Sequence, residues 1–263
     1  MNKLKNLFGK KNQPAIDATS YPEDIENNPA ISDSSYIRNQ RLIAMRPQAS
    51  EASNFKILRA KILRQLRTNQ WNSFGISSSR KGEGKSMIAA NLAISIAMDA
   101  NQSVLLIDMD FLDPKLAWYF NITVKNTIKD CLFFNQPLSR VLIDSGIERL
   151  NNRLSILPSR PGTYRTSDLI SNPKMQRLIA EIKANSEGKI IIFDLPPILV
   201  SDDVLASIDY YDALLFVVED GANSGDDLKK ALQMVDDKPF LGTVLNKSND
   251  LVNYQDYYYS DQA

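Results

Sequence analysis

The chain has 263 residues, 43% hydrophobic and 24% charged, with 31 basic and 31 acidic side chains and no histidine. That length buries one sizeable core, and the charge balance leaves no global field to attract nucleic acid. The lack of histidine excludes Ser-His-Asp catalysis, His-ligated zinc and histidine acid–base chemistry, leaving carboxylates, lysine, arginine and metal.

The single cysteine, Cys131, excludes an internal disulfide and fits a reducing cytosol. Its neighbours Ile128, Leu132 and Phe133 make it read as a buried, inert thiol. No apolar run approaches the ~18–20 residues of a membrane span, so a cytoplasmic protein is expected. The first eleven residues set Lys3, Lys5, Lys10 and Lys11 beside Leu4, Leu7 and Phe8. A solvated basic end and a contact with anionic lipid both fit that pattern.

Residues 1–47 read as a flexible tail, rich in Asn, Ser, Pro, Asp and Glu beyond the basic end and without sustained periodicity. A domain is expected over residues 48–249 and a tyrosine-rich tail over 250–263. From Ser50, a plausible N-cap, Phe55, Leu58, Ile62 and Leu66 form an apolar stripe. Lys56, Arg59, Lys61, Arg64 and Arg67 surround it. This basic amphipathic helix packs on the domain by default, although a neighbouring subunit would also fit its face.

The run Phe74-Gly75-Ile76 then leads into Ser77-Ser-Ser-Arg-Lys-Gly-Glu-Gly-Lys-Ser86, followed by Ile88, Leu92 and Ile96 at helical spacing. Strand, glycine-bearing loop and helix are the context of a phosphate-binding loop. Gly82 and Gly84 allow successive N–H groups to face one concavity, to which the helix starting near Lys85 adds its positive dipole end. Lys85 would reach the outer phosphates and the Ser86 hydroxyl would ligate magnesium. Ser79 stands where the full pattern has a glycine.

Further strands are expected at Ser103–Asp110, Lys189–Asp194, Ala213–Val218 and Phe240–Leu245, and Asn151–Leu157 can supply another. Helical segments lie around Lys174–Lys183, Val204–Ile208 and Asp226–Val235. Unbroken apolar strands alternating with helices specify an α/β fold with a doubly wound, mostly parallel sheet. Asp108 and Asp110 close one strand and Asp194 closes another, at the carboxyl ends where such sheets bind ligands. Asp194 is assigned to magnesium, and Asp108 and Asp110 to metal or to activation of the attacking group. Their two-residue spacing does not divide those roles.

The C-terminus carries Tyr254, Tyr257, Tyr258 and Tyr259 among acids. A docking strand or low-complexity tail would account for the cluster. A flexible phosphoacceptor would also do so, since phosphates adding about −1.5 to −2 charge each would repel one another.

These motifs together resemble the bacterial tyrosine kinases of capsule and exopolysaccharide production, in the branch associated with exosortase-linked loci. The residues that carry the resemblance are Gly-Glu-Gly-Lys-Ser at 82–86, Ala-Asn-Leu-Ala at 90–93 and Val-Leu-Leu-Ile-Asp-Met-Asp at 104–110, with Phe-Asp-Leu-Pro-Pro at 193–197, Gly-Thr-Val-Leu-Asn-Lys at 242–247 and the terminal tyrosines. It extends from about Ser50 to Ser248, within the deviant phosphate-loop class that includes partitioning ATPases.

The resemblance implies MgATP as phosphodonor and autophosphorylation of the tyrosine tail, with Lys85, Asp108 and Asp110 catalytic. It implies nucleotide contacts from Ser79, Arg80, Lys81, Gly82, Glu83, Gly84, Lys85, Ser86 and Met87, and from Asn246 near the adenine. Magnesium would be held by Ser86, Asp108 and Asp194. The implied partners are a membrane-embedded polysaccharide chain-length regulator on a separate chain, a homo-oligomer and a cognate tyrosine phosphatase, with the kinase at the inner membrane face. Leu112 stands where the family usually has arginine, and the family's oligomerisation helix motif falls on Ser53, Lys56 and Arg59. A partitioning-type, nucleotide-switched scaffold without kinase activity is the alternative.

Overall fold

The computed structural model describes residues 34–46, 49–99, 101–161, 166–186, 188–222, 225–235 and 238–248. In chain order the helices and strands are α1 (Ser34–Asn39), α2 (Ser50–Asn69), β1 (Ser73–Ser78), α3 (Lys85–Ala97), β2 (Ser103–Asp108), α4 (Leu116–Tyr119), α5 (Ile128–Phe134), β3 (Ile143–Asp144), β4 (Leu154–Leu157), α6 (Thr166–Ile170), α7 (Pro173–Ala184), β5 (Lys189–Asp194), α8 (Asp203–Ala206), β6 (Ala213–Glu219), α9 (Gly225–Gln233) and β7 (Phe240–Asn246). The strands form one seven-stranded sheet in the order β3-β4-β2-β5-β1-β6-β7. All neighbours are parallel except β3 against β4. This is the doubly wound α/β fold expected from the sequence.

Strand alternation divides the core into two layers. Phe74, Ile76, Leu106, Ile192 and Leu215 face the layer formed with α2 and α3. Leu105, Ile107, Ile191, Phe193 and Phe216 face the layer that includes Met175 and Ile179 of α7. Gly75 on β1 faces the second layer. A Cβ there would lie 2.5 Å from Leu195 Cδ1 and 3.2 Å from the Tyr211 ring, so the close approach requires glycine.

Helix α2 buries Ala52, Phe55, Ile62, Leu63 and Leu66, while Leu58 of the stripe read from the sequence is only partly buried against the core. Its N-cap is Ala49 rather than Ser50, which is the first helical residue. Ser53 and Lys56 are exposed, whereas Arg59 donates to the Ser95 carbonyl at 2.8 Å and is thereby tied to α3.

The flexible tail assigned to residues 1–47 is corrected from Ser34 onward. Helix α1 and the 3-10 turn Ile43–Met45 lie against the domain, with Leu42, Ala44 and Met45 in the core. Asn91 of α3 is fully buried and clamps this segment. Its Oδ1 accepts from Ala44 N at 2.9 Å, and its Nδ2 donates to the Arg41 and Met87 carbonyls at 2.9 Å each. The Tyr36 hydroxyl donates to the Trp118 carbonyl at 2.8 Å, pinning α1 to α4. Cys131 is half-buried, and burial pushes its thiol up to about 11, which leaves it an unreactive thiol.

Candidate active site

The sequence turns sharply between β1 and α3 because Gly82 and Gly84 adopt φ of 91° and 93°, a region that side chains disfavour. Gly84 is the N-cap of α3, so the first free N–H groups of the helix open into the loop. Across the loop the buried Glu83 carboxylate accepts the Ser79 N–H at 2.9 Å, the position where a glycine was expected. Asn246, at the end of β7, donates to the Glu83 carbonyl at 2.8 Å. A Cβ on Gly84 would lie 2.2 Å from that Asn246 amide nitrogen. The loop also rests on the segment after β5, since Ile198 N donates to the Ser78 carbonyl and Ser77 Oγ to the Pro196 carbonyl.

The three expected carboxylates converge here, each in a different state. The Lys85 ammonium donates to Asp110 at 2.7 Å, with both side chains nearly buried. Desolvation lowers the Lys85 pKa, but the charges of Asp194, Asp110 and Asp108 outweigh it and the net shift is upward. Asp108 and Asp194 are register partners on β2 and β5. Burial raises the pKa of Asp108 well above the usual carboxylate range, and the Asp194 charge adds to the rise. Burial pushes Asp194 up to about 6, against the Lys85 charge and the neighbouring Ser86 hydroxyl.

Asp108 accepts from the backbone nitrogens of Asp110, Lys115 and Leu116 at 3.0–3.3 Å. Its oxygens therefore hold the loop after β2 and the start of α4. Strand β2 ends at Asp108, so Asp110 reaches Lys85 from coil. Both Asp194 oxygens are buried and accept no hydrogen bond among the described residues.

A buried carboxylate that accepts no hydrogen bond, beside a lysine and a hydroxyl, fits a magnesium ion, which takes oxygen ligands and few from protein. No cluster of three or more His, Cys, Asp or Glu side chains suits a metal among the described residues, so phosphate oxygens and water would complete the shell. Arg80 pairs with Asp227 of α9, and Lys81 with Asp113 at 2.7 Å. Met87 lines the cavity above the loop. Tyr254, Tyr257, Tyr258 and Tyr259 lie outside the described residues.

Sequence reasoning missed Asn91, the inward-turned Glu83 carboxylate and the apolar walls of that cavity, Leu112, Trp118 and Val200. Pro196 and Pro197, which the sequence offered within the motif at 193–197, line the same cavity.

No family model matches the chain. Curated relatives do. Tyrosine-protein kinase CpsD of Streptococcus agalactiae is 31% identical over 188 residues, covering 69% of this chain and 78% of the relative. Succinoglycan biosynthesis transport protein ExoP of Rhizobium meliloti is 27% identical over 229 residues, covering 84% of this chain and 28% of ExoP. Among solved structures, the chimerical protein CapA2B2 superposes with a TM-score of 0.71 at 25% identity, covering 85% of this chain and 94% of that one. A Borrelia burgdorferi plasmid partition protein shares the fold alone, at a TM-score of 0.52 and 17% identity. The identity to CpsD over most of both sequences, on this fold and around this loop, places the chain in the bacterial tyrosine-protein kinase family.

Proposed function

We propose that the chain is an ATP-dependent protein-tyrosine autokinase of capsule or exopolysaccharide production, transferring the γ-phosphate of ATP to Tyr254, Tyr257, Tyr258 and Tyr259. The observation that carries this is the Lys85–Asp110 pair at the mouth of the loop, above the unpartnered Asp194 carboxylate. The backbone from Ser79 to Met87, with its N–H groups at the start of α3, cradles the phosphates. Lys85 leaves Asp110 for the outer phosphates, since phosphate oxygens carry more charge than one carboxylate. Asp194 and Ser86 would hold magnesium, which supplies charge neutralisation on the phosphates.

Asp110, released from Lys85, takes the proton of the tyrosine hydroxyl. The phenolic oxygen forms its bond to the γ-phosphorus as the bond to the β,γ-bridging oxygen breaks, and that electron pair leaves with ADP. Asp108 keeps the loop carrying Asp110 in place. Asn246 supports the loop through Glu83 on the β7 side, toward the expected base.

No described helix is long and apolar enough to cross a membrane. ExoP is more than three times the matched length, as the 28% coverage implies. The partner we assign is a membrane-embedded chain-length regulator, which would hold the kinase at the inner membrane face. A homo-oligomer and a cognate phosphatase complete the cycle. The oligomer would use the exposed Ser53 and Lys56 face of α2, without the internally bonded Arg59.

Incubation with labelled ATP and magnesium should label tyrosine in the wild type and not in Lys85→Met. ATP hydrolysis without phosphotyrosine would return the protein to the nucleotide-switched scaffold reading, which the kinase relatives do not favour.

A further inference from the structure

Above the phosphate loop lies a cavity of about 590 Å³ with walls more apolar than a triphosphate requires. Gly84, Lys85 and Ser86 of the loop line it, with Leu112 and Trp118 from the segment after β2 and Val200 from the segment after β5. These three side chains are 49%, 54% and 62% exposed. Single exposed apolar residues are ordinary, but large ones converging on one cleft over a reactive lysine mark a binding surface. Trp118 packs edge-on against Tyr119 with ring centroids 4.9 Å apart, and its carbonyl is fixed by the Tyr36 hydroxyl.

The rim is basic. Lys81 and Lys115 share the single carboxylate of Asp113 at 2.7 and 2.6 Å, and are 74% and 49% exposed. The sheet order sets β5 and β2 on one side of β1, and β6 and β7 on the other. The apolar walls come from the segments after β2 and β5, whereas Asn246 ends β7 and lies outside the lining. A base on the β7 side leaves this cleft open toward Lys85.

We infer that Leu112, Trp118 and Val200 form an acceptor subsite that reads the aromatic residues flanking the phosphorylated tyrosine, and that its occupant is the segment 254–259 of this chain. The inference rests on the kinase reading above. The segment has four tyrosines and Asp256, with Asp250 and Asp261 on either side and no lysine or arginine from 248 to 263. Its charge complements the Lys81 and Lys115 rim. Because Tyr257, Tyr258 and Tyr259 are consecutive, whichever phenol reaches Lys85 brings a second ring alongside it. The Trp118 face and the Leu112 and Val200 side chains would remove that ring from water.

The test uses full-length protein with Tyr254, Tyr257, Tyr258 and Tyr259 replaced by serine, a fluorescein-labelled peptide of residues 250–263, and MgADP. Trp118→Ala and Val200→Asp should each weaken peptide binding about tenfold, while ADP affinity is held. A peptide with serine at its tyrosine positions should bind as weakly to the parent protein. Unchanged peptide affinity in both variants, or a parallel loss of ADP affinity, overturns the subsite. Transfer from MgATP separates the two readings. A peptide that binds in a Trp118-dependent way but is never phosphorylated keeps the subsite and removes the kinase assignment. A phosphorylated peptide whose KM ignores both substitutions does the reverse.

Discussion

Asp108 and Asp194 stand side by side on parallel strands, their Cα atoms in register, both buried, with backbone N–H groups compensating only Asp108. This asymmetry sets the energetics of the nucleotide-free site. The native pKa of Asp194 is raised to about 6 from an ordinary 3.8. Between those values the folded state binds more protons than the unfolded one, so stability falls as pH rises through that window. Asp194→Asn should reduce this slope, leaving the part that the raised Asp108 contributes, and stabilise the nucleotide-free protein at pH 7 by on the order of 2 kcal/mol. Thermal unfolding at pH 5 and pH 7, with and without the substitution, checks it.

The Lys85–Asp110 contact at 2.7 Å makes a different prediction. A base near the reacting oxygen contributes about 10²–10⁴-fold, so Asp110→Asn should cut single-turnover phosphotyrosine formation by that range. ATP affinity should persist, because a carboxylate beside the phosphates repels them. An unchanged rate would return the proton-accepting role to Asp108.

Gly84→Ala should abolish nucleotide binding while the domain still unfolds cooperatively. The added Cβ meets the Asn246 amide at 2.2 Å, and φ is +93°. Combining it with Asn246→Ala removes the clash but not the backbone strain of about 1–3 kcal/mol. Titration with a fluorescent nucleotide should therefore show only partial recovery in the double variant.

Asn91→Ala should destabilise the fold by about 2–3 kcal/mol, because it leaves the buried Ala44 N–H without its acceptor and two carbonyls without their donor. Urea unfolding measures the loss. Limited proteolysis should cut first between residues 34 and 46.

The sequence showed most where the governing interactions are local. From residue 73 to 97, apolar strand, paired glycines and helical spacing follow one another directly, and the structure has that strand, turn and helix in place. The buried strands ending in Asp108 and Asp194 were legible for the same reason: a parallel strand covered on both faces must be apolar throughout.

The segment 34–46 was not legible as structure, because its anchors are remote. Ala44 bonds to a side chain 47 positions away and Tyr36 to a carbonyl 82 away. The run Leu42-Ile-Ala-Met45 was the available signal, and the polar composition before it concealed it. The division of labour among the three aspartates was equally invisible, since it depends on which backbone N–H groups the chain returns to them.

By itself, then, the sequence determined the doubly wound sheet, the phosphate loop and the strand ends at which its carboxylates stand, because period and turn chemistry are properties of neighbouring residues. Only the tertiary structure decided that Asp108 accepts three backbone N–H groups, that Asp110 pairs with Lys85, and that Leu112, Trp118 and Val200 line one cleft. Those facts depend on how separate strands deliver their following loops to one edge of the sheet.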